Sequence, residues 1–245
     1  MLLRADGEAV PLVYRVAYAF LHREGDREGE ARLATDACVN WTNGVFSLGE
    51  NKTDRPRGWV LDPGVFRMLK AWREMANPEH RPDAPLFPDV KWDKLAPTYR
   101  DHCRAAGVDR ARLFEKKSNK ASPRAHDTRA FFITAARYAD RDVLWITDRT
   151  GHTSLPMLRT YERDVRRWRE LGEAPVPVDE AIPEIAAAIA ATNAAAAPRS
   201  GGGEGGPNTR KCTGRESNPY ASRRRNLNPL RLPVSPPVRD VRIAW

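Results

Sequence analysis

Apolar residues recur at helical spacing along most of the first 171 residues, and this periodicity constrains the fold more than any other feature of the chain. Residues 10–23 show it most clearly, because their apolar side chains fall on one face of a helix. The sequence predicts further helices at residues 28–37, 91–106, 129–138, 142–149, 156–171 and 178–197, and another that begins at Pro63. We therefore expect a mainly helical domain.

Two short segments interrupt this helical pattern near the start of the chain. The sequence WTNGVFSL indicates a turn into a strand, and RGWVL at residues 57–61 indicates its partner, reached through the connection GENKTDRP. Asp62 and Pro63 then have the residue types of a helix N-cap and first helical position. The predicted fold class is therefore mainly α with a small antiparallel β-sheet (α+β).

Most of the net charge of +9 is concentrated at the C-terminal end. Residues 199–245 contain ten basic and three acidic side chains, whereas the first 198 contain 31 basic and 29 acidic ones. A basic excess can indicate nucleic-acid binding, but here that inference needs specific residues. RSGGGEGGPNT is typical of a flexible linker, and we expect residues 198–245 to form a disordered basic tail because they contain few core-forming residues.

Composition also bears on location and ligands. The chain has no apolar run long enough to cross a membrane and no signal peptide, which favours a cytoplasmic protein. Cys38, Cys103 and Cys212 are odd in number and widely spaced, so neither a disulfide framework nor a zinc motif fits them. We find no carboxylate cluster for a metal ion, and we expect no metal, cofactor or small-molecule substrate.

The segment TGHTSLPMLRTY places His152 nine positions before Tyr161. Ser154 has the residue type of a helix cap, and Pro156 is tolerated only in the first turn. Because a turn precedes the helix, His152 can fold back toward Tyr161, so that both side chains reach one substrate atom. Taken alone, the segment is better explained by a turn histidine and a half-buried amphipathic tyrosine.

Three other polar motifs also have ordinary explanations when each is considered alone. HDTR places His126 and Arg129 on one face at the start of a predicted helix, where anions bind, but such pairs are common on solvated surfaces. REGE places Arg27 one turn from Glu30, as in a surface ion pair. Lys52 lies in the connection between the two predicted strands, where a lysine usually serves solubility.

Together, the order and spacing of these motifs resemble the catalytic domain of the tyrosine recombinase (phage integrase) family. The resemblance covers roughly residues 10–170 and is carried by REGEARLATDACVNWTNGVF, NKTDRPRGWVLDPGVFRMLKAW and HDTRAFFITAARYADRDVLWITDRTGHTSLPMLRTY. It implies the DNA breaking-rejoining fold for residues 1–175. The implied catalytic residues are Arg27, Lys52, His126, Arg129, His152 and Tyr161. Glu30 is expected to hold Arg27 in place.

The resemblance implies a site-specific recombinase that cuts and rejoins DNA through a 3′-phosphotyrosyl intermediate, without metal or ATP. Arg27 and Arg129 would clamp the phosphate with planar forks of charged donors. Tyr161 would be the nucleophile, activated by the positive charge and a base.

The remaining three residues would transfer protons or orient the reacting groups. His126 is the expected base or hydrogen-bonding partner of the tyrosine, and His152 either bonds a phosphate oxygen or orients the tyrosine. Lys52 would donate a proton to the leaving 5′ oxygen as general acid.

The implied partners are double-stranded DNA and further copies of the chain, assembled as a tetramer on DNA. Residues 176–197 are expected to form a C-terminal helix that is either exchanged between protomers, as family members commonly do, or packed within its own chain. The resemblance also implies a cytoplasmic, nucleoid-associated protein of a mobile genetic element that acts in DNA integration.

The chain begins about 26 residues before Arg27, so the family's N-terminal core-binding domain is expected to be absent. The alternative function is therefore a truncated, catalytically inactive integrase remnant that only binds DNA or a partner integrase. A type IB topoisomerase with similar chemistry is a third reading, and a purely structural helical domain is a fourth.

Overall fold

The computed structural model describes residues 2–49, 57–108, 114, 123–151, 161–172 and 174–196. The α-helices are α1 (Leu12–Glu24), α2 (Glu28–Leu33), α3 (Pro63–Ala76), α4 (Leu95–Ala105), α5 (Asp127–Tyr138), α6 (Val143–Thr150), α7 (Glu162–Leu171), α8 (Val178–Ala181) and α9 (Pro183–Ala196). The strands are β1 (Val39–Asn40), β2 (Val45–Leu48) and β3 (Arg57–Val60). The predicted tail at residues 198–245 lies outside the described residues.

The strands form one antiparallel sheet in the order β1-β2-β3, with Phe46 opposite both Val39 and Trp59. The predicted pairing of the two longer strands is confirmed, whereas β1 is an addition that the sequence did not predict. A mainly helical domain with one small antiparallel sheet is therefore the observed fold class. In the part of the chain that the structure describes, none of the helices could span a lipid bilayer.

Helix α1 is buried on nearly all sides at the centre of the main core, and it packs against α3 and α5. It ends at Gly25, whose left-handed φ of 71° is accessible to glycine at low cost. A Cβ atom on Gly25 would lie 2.3 Å from the ring of Phe132 in α5. The absence of a side chain at this position therefore lets the end of α1 approach α5 closely.

Helix α2 is shorter than predicted, since it ends at Leu33 rather than at residue 37. The chain turns away because Asp36 accepts bonds at 2.6 and 2.7 Å from the guanidinium of Arg73, on α3. The neighbouring Thr35 forms a β-bridge with Pro85. These contacts join residues that are distant in sequence, and they outweigh the local preference for helix.

Helix α3 begins as predicted, because the Asp62 side chain accepts bonds from the backbone N–H groups of Gly64 and Val65. In α4, Pro97 is the third helical residue, where its missing N–H costs no helical bond. The predicted helix over residues 156–171 is described from Tyr161 onward, and α7 occupies its C-terminal part.

Helices α8 and α9 pack against α3 of the same chain. Ile182 and Ile185 are fully buried in the main core. Glu184 receives two bonds from Arg15, a side chain of α1 that is itself 0% exposed. In the free chain, then, the C-terminal helix lies in cis, while its exchange between protomers stays a prediction.

Candidate active site

Arg27 lies immediately before α2, and Glu30 fixes it in two ways. One carboxylate oxygen of Glu30 accepts from the backbone N–H of Arg27, and the other accepts from its Nη1, each at 2.9 Å. Glu30 is 4% exposed, whereas the Arg27 side chain is 31% exposed. The carboxylate is thus a buried support, and the guanidinium that it holds still reaches the surface.

Arg129 lies in the first turn of α5 and is buried. Its Nη1 donates to the carbonyl of Gly25 at 2.7 Å, and its Nη2 donates to the carbonyl of Thr150. Burial, followed by the nearby charge of Arg27, lowers the pKa of Arg129 to about 10. The guanidinium therefore stays charged at neutral pH, and it ties the ends of α1 and α6 to the start of α5.

Tyr161 immediately precedes α7 and is half-buried. It packs against a small second core in which Phe132 and Ile133 of α5 meet Ile146 of α6. Burial raises the pKa of its phenol, the positive charge of Arg129 opposes that rise, and Asp127 adds to it. The charge of Arg129 therefore acts on the phenol of Tyr161. The net shift of the Tyr161 pKa is nevertheless upward, which disfavours the phenolate form in this arrangement.

Of the two histidines and the lysine of the predicted site, the structure describes only His126. His126 is exposed just before α5, and its carbonyl accepts from the backbone N–H of Arg129 at 3.1 Å. Lys52 and His152 lie outside the described residues. Gly151, the residue before His152, is described, and a Cβ there would lie 3.7 Å from Nη1 of Arg27. The Gly-His turn therefore starts beside the first arginine.

Two charged residues of the site were not predicted from the sequence. Arg57, the first residue of β3, donates to the carboxylate of Glu30 at 2.5 Å and to the carbonyl of Arg149 at 2.6 Å. Asp26 is 2% exposed, and neither of its carboxylate oxygens has a hydrogen-bond partner among the described residues. The only sequence signal was their position, next to Arg27 for Asp26 and at the end of the lysine connection for Arg57.

Burial raises the pKa of Asp26 well above its ordinary value, and the carboxylates of Glu30 and Glu24 add to the rise. Arg57 and Arg129 act in the opposite direction. With Asp26 shifted toward its neutral form, the cluster of Arg27, Arg57 and Arg129 carries more positive than negative charge. The site is thus suited to an anion, and a phosphodiester has the charge and the oxygens that guanidinium groups bind. The described residues contain no group of His, Cys, Asp and Glu that could hold a metal ion.

The fold is that of the tyrosine recombinase catalytic domain. The structure of XerA recombinase matches with a TM-score of 0.52 at 16% sequence identity, covering 69% of this chain and 60% of that one. The Tn1549 transposon integrase in complex with a circular intermediate DNA matches with a TM-score of 0.49 at 16% identity, covering 65% and 56%. XerH recombinase bound to its palindromic difH substrate matches with a TM-score of 0.46 at 22% identity, covering 68% and 45%.

The likeness to XerA at this identity establishes the fold, and the chemistry has to follow from the residues. The chain spans less than two thirds of the length of each of these three structures. No protein-family model matches the sequence, and no curated protein matches it.

Proposed function

We propose that the chain is a site-specific DNA recombinase or integrase that breaks and rejoins DNA strands through a 3′-phosphotyrosyl intermediate. One observation carries the proposal. Residues 104 positions apart, Gly25 and Arg129, are hydrogen-bonded, and this contact brings Arg129 to Arg27. Tyr161 lies near enough to Arg129 for the charge of the guanidinium to act on its phenol. Cationic groups that stabilise the developing charge and a nucleophile are groups that phosphoryl transfer to tyrosine uses.

The two arginines suit different parts of this task. Arg129 is held rigidly by two backbone carbonyls in a buried setting, where a fixed charge stabilises developing negative charge more strongly than in water. Arg27 is anchored by Glu30 but remains partly exposed, so it can meet a phosphate that arrives from solvent. A bound phosphate would therefore contact the buried Arg129 on one side and the partly exposed Arg27 on the other.

In the proposed reaction the Tyr161 oxygen forms a bond to phosphorus as the bond from phosphorus to the 5′ oxygen breaks. His126 accepts the phenol proton or bonds the phenol, and Lys52 protonates the departing 5′ oxygen. His152 bonds a phosphate oxygen or orients the tyrosine. Because the phosphotyrosyl link conserves the energy of the phosphodiester, a 5′ hydroxyl of another strand can reverse the step without ATP.

Double-stranded DNA is the proposed substrate, and a tetramer on DNA is the proposed working assembly. Pairing of two cleaved duplexes requires several copies of the site, and exchange of α9 between protomers is one way to join them. In the free chain this helix packs in cis, so exchange would accompany assembly on DNA.

The test is a covalent trap that works whatever sequence the protein targets. The protein is incubated with a duplex library whose sequence is randomised around a nick, so that the short 5′-hydroxyl fragment diffuses away after cleavage. We expect DNA that stays attached to protein in detergent, with a common sequence among the trapped duplexes, and no attachment for Tyr161→Phe. The trap is repeated with a separate tyrosine recombinase N-terminal DNA-binding domain added.

A second candidate function is a DNA-binding remnant that does not cut. It is favoured by the raised pKa of Tyr161, whose burial disfavours the phenolate. Retention of duplexes under native conditions, with no detergent-stable attachment in either arm of the trap, would support this candidate. Relaxation of a supercoiled plasmid would instead indicate topoisomerase activity.

A further inference from the structure

Arg57 contacts two parts of the proposed site, although it is not among the catalytic residues predicted from the sequence. It begins β3, directly after the connection that contains Lys52. Its side chain is 12% exposed, so it is mostly enclosed by the residues that it contacts. A buried arginine at the centre of a catalytic cluster needs an explanation, because removing its charge from water is unfavourable unless the contacts compensate.

The first contact of Arg57 is with the support of Arg27. Its Nη2 donates at 2.5 Å to Oε1 of Glu30, the same oxygen that accepts from Nη1 of Arg27 at 2.9 Å. The carboxylate is therefore held from two sides, and its position sets where the Arg27 guanidinium lies. A displacement of Glu30 would move Arg27 directly.

The second contact of Arg57 is with the end of α6. Its Nη1 donates to the carbonyl of Arg149 at 2.6 Å, while Arg129 donates to the next carbonyl, that of Thr150. The last carbonyls of a helix lack partners within the helix and attract cations. A Cβ on Gly151 would lie 3.0 Å from Nη1 of Arg57, so the backbone at Gly151 lies against this side chain.

Arg57 and Arg129 thus donate to consecutive carbonyls at the end of α6. The same two guanidinium groups also donate to the segment from Gly25 to Glu30. We infer that Arg57 is a positioning residue of the proposed site, which keeps Arg27 in register with the turn that leads to His152. It acts through Glu30 and the Arg149 carbonyl. This inference rests on the proposed function and adds to it a residue that links the first arginine, strand β3 and the end of α6.

The variant Arg57→Lys tests this role, because lysine keeps the positive charge but lacks the planar fork that bridges two acceptors. The matched control is Arg67→Gln, which removes an ion pair between Arg67 of α3 and Asp179 of α8. Among the described residues, neither of these two forms a hydrogen bond or ion pair with Arg57, Glu30 or Arg27. Melting temperature and the far-UV circular dichroism spectrum report whether the variant folds.

The first readout is single-turnover formation of the tyrosyl–DNA link on a trapped duplex. We expect the rate constant at saturating DNA to fall about 10- to 100-fold for Arg57→Lys, since misplacement by about 1 Å can cost that much. The DNA concentration for half-saturation should change far less than the rate constant, because one phosphate is a small part of the contact with a duplex. Both values should stay the same for Arg67→Gln. A purely structural role would lower the amount of active protein and leave its rate constant unchanged, which would overturn the inference.

The second readout does not require DNA cleavage. Inorganic phosphate is titrated into wild type, Arg57→Lys and Arg67→Gln, and binding is followed by calorimetry. We expect weaker phosphate binding only in Arg57→Lys. If Arg57→Lys binds phosphate more weakly but wild type forms no covalent link to DNA, the proposed function is rejected and the positioning role is kept. If Arg57→Lys forms the link with the wild-type rate constant, the positioning role is rejected and the proposed function is kept. Absence of both phosphate binding and linkage in wild type would reject both.

Discussion

At the scale of single residues, the site is distinguished by a buried carboxyl group that has no hydrogen-bond partner among the described residues. Asp26 sits beside Arg27 in sequence, and the charges of Arg57, Arg129, Glu24 and Glu30 act on it. Ionisation of such a group is unfavourable because water cannot reach it. Asp26 therefore makes the stability of the folded chain depend on pH.

We predict that Asp26→Asn stabilises the protein at neutral and alkaline pH. In the unfolded chain Asp26 ionises above a pKa of about 3.9, whereas burial raises its folded pKa. The folded state then binds more protons than the unfolded state between these values, so wild-type stability falls as pH rises through that window. At pH 8 the Tm of the variant should be higher by at least about 2 °C, the shift that ~1 kcal/mol produces in a domain of this size.

Thermal melting from pH 4 to pH 8 checks this prediction, with Asp83→Asn as the control because the Asp83 side chain is 84% exposed. The Tm difference between Asp26→Asn and wild type should grow as pH rises, and Asp83→Asn should show no such trend. Parallel pH profiles for Asp26→Asn and wild type would show that the carboxyl is not buried as described.

Sequence patterns located part of this site and missed the rest for a physical reason. Arg27, Glu30 and Arg129 could be selected because the order and spacing of their motifs resemble those of the tyrosine recombinase catalytic domain. The roles of Arg57 and Asp26 arise from contacts between distant segments, such as the bond from Arg57 to the Arg149 carbonyl. Neither residue type nor local spacing carries information about such contacts.

At the scale of secondary structure elements, the site depends on how closely α1 approaches α5. The end of α1 supplies the carbonyl that binds Arg129, and the ring of Phe132 fills the space where a side chain of Gly25 would lie. His22 of α1 also stacks on Phe131 of α5, with ring centroids 4.7 Å apart. Arg27 follows Gly25 by two residues, so the helix packing places the first arginine.

We predict that Gly25→Ala destabilises the fold by about 2–4 kcal/mol, combining a left-handed backbone penalty of roughly 1 kcal/mol with overpacking against Phe132. Gly172→Ala is the matched control, since Gly172 has a φ of 65° but no atom within 4 Å of an added Cβ. The control should lose only about 1 kcal/mol. Urea unfolding measures both, and equal losses would mean that the α1–α5 contact is not tight.

Elements with strong local signals were predicted well, and elements governed by tertiary contacts were not. The start of α3 followed from its Asp-Pro cap, and α1 followed from its apolar periodicity. The predicted end of α2 was wrong because Asp36 binds Arg73, which lies 37 positions away. Strand β1 was missed because two residues give too short a pattern to detect.

At the scale of the whole molecule, the C-terminal helices complete the main core. Ile182 and Ile185 are inserted among residues of the core, and Glu184 neutralises the buried Arg15. Removing one partner of a buried ion pair is costly, since the other charge is left without compensation. The segment from α8 to α9 is therefore part of the folded domain in the free chain.

We predict that Ile185→Ala lowers the free energy of unfolding by about 2–4 kcal/mol, the usual range for a fully buried isoleucine. Ile189→Ala is the control, because Ile189 is only partly buried on the same helix, and it should lose less. Urea unfolding measures both losses.

The wild-type Tm should also be constant over about a hundredfold range of protein concentration, because a helix packed in cis involves no association. A Tm that rises with concentration would show that protomers associate even without DNA, and would contradict this prediction.

The most direct test of the central claim is to identify the atom that carries DNA in the trapped complex. The detergent-stable protein–DNA product is digested with nuclease and protease, and the peptide bearing the residual nucleotide is sequenced by mass spectrometry. We predict a single modified residue, Tyr161, linked to a 3′-phosphate, and no modified peptide from Tyr161→Phe. A nucleotide on any other residue, or an adduct that persists in Tyr161→Phe, would contradict the account.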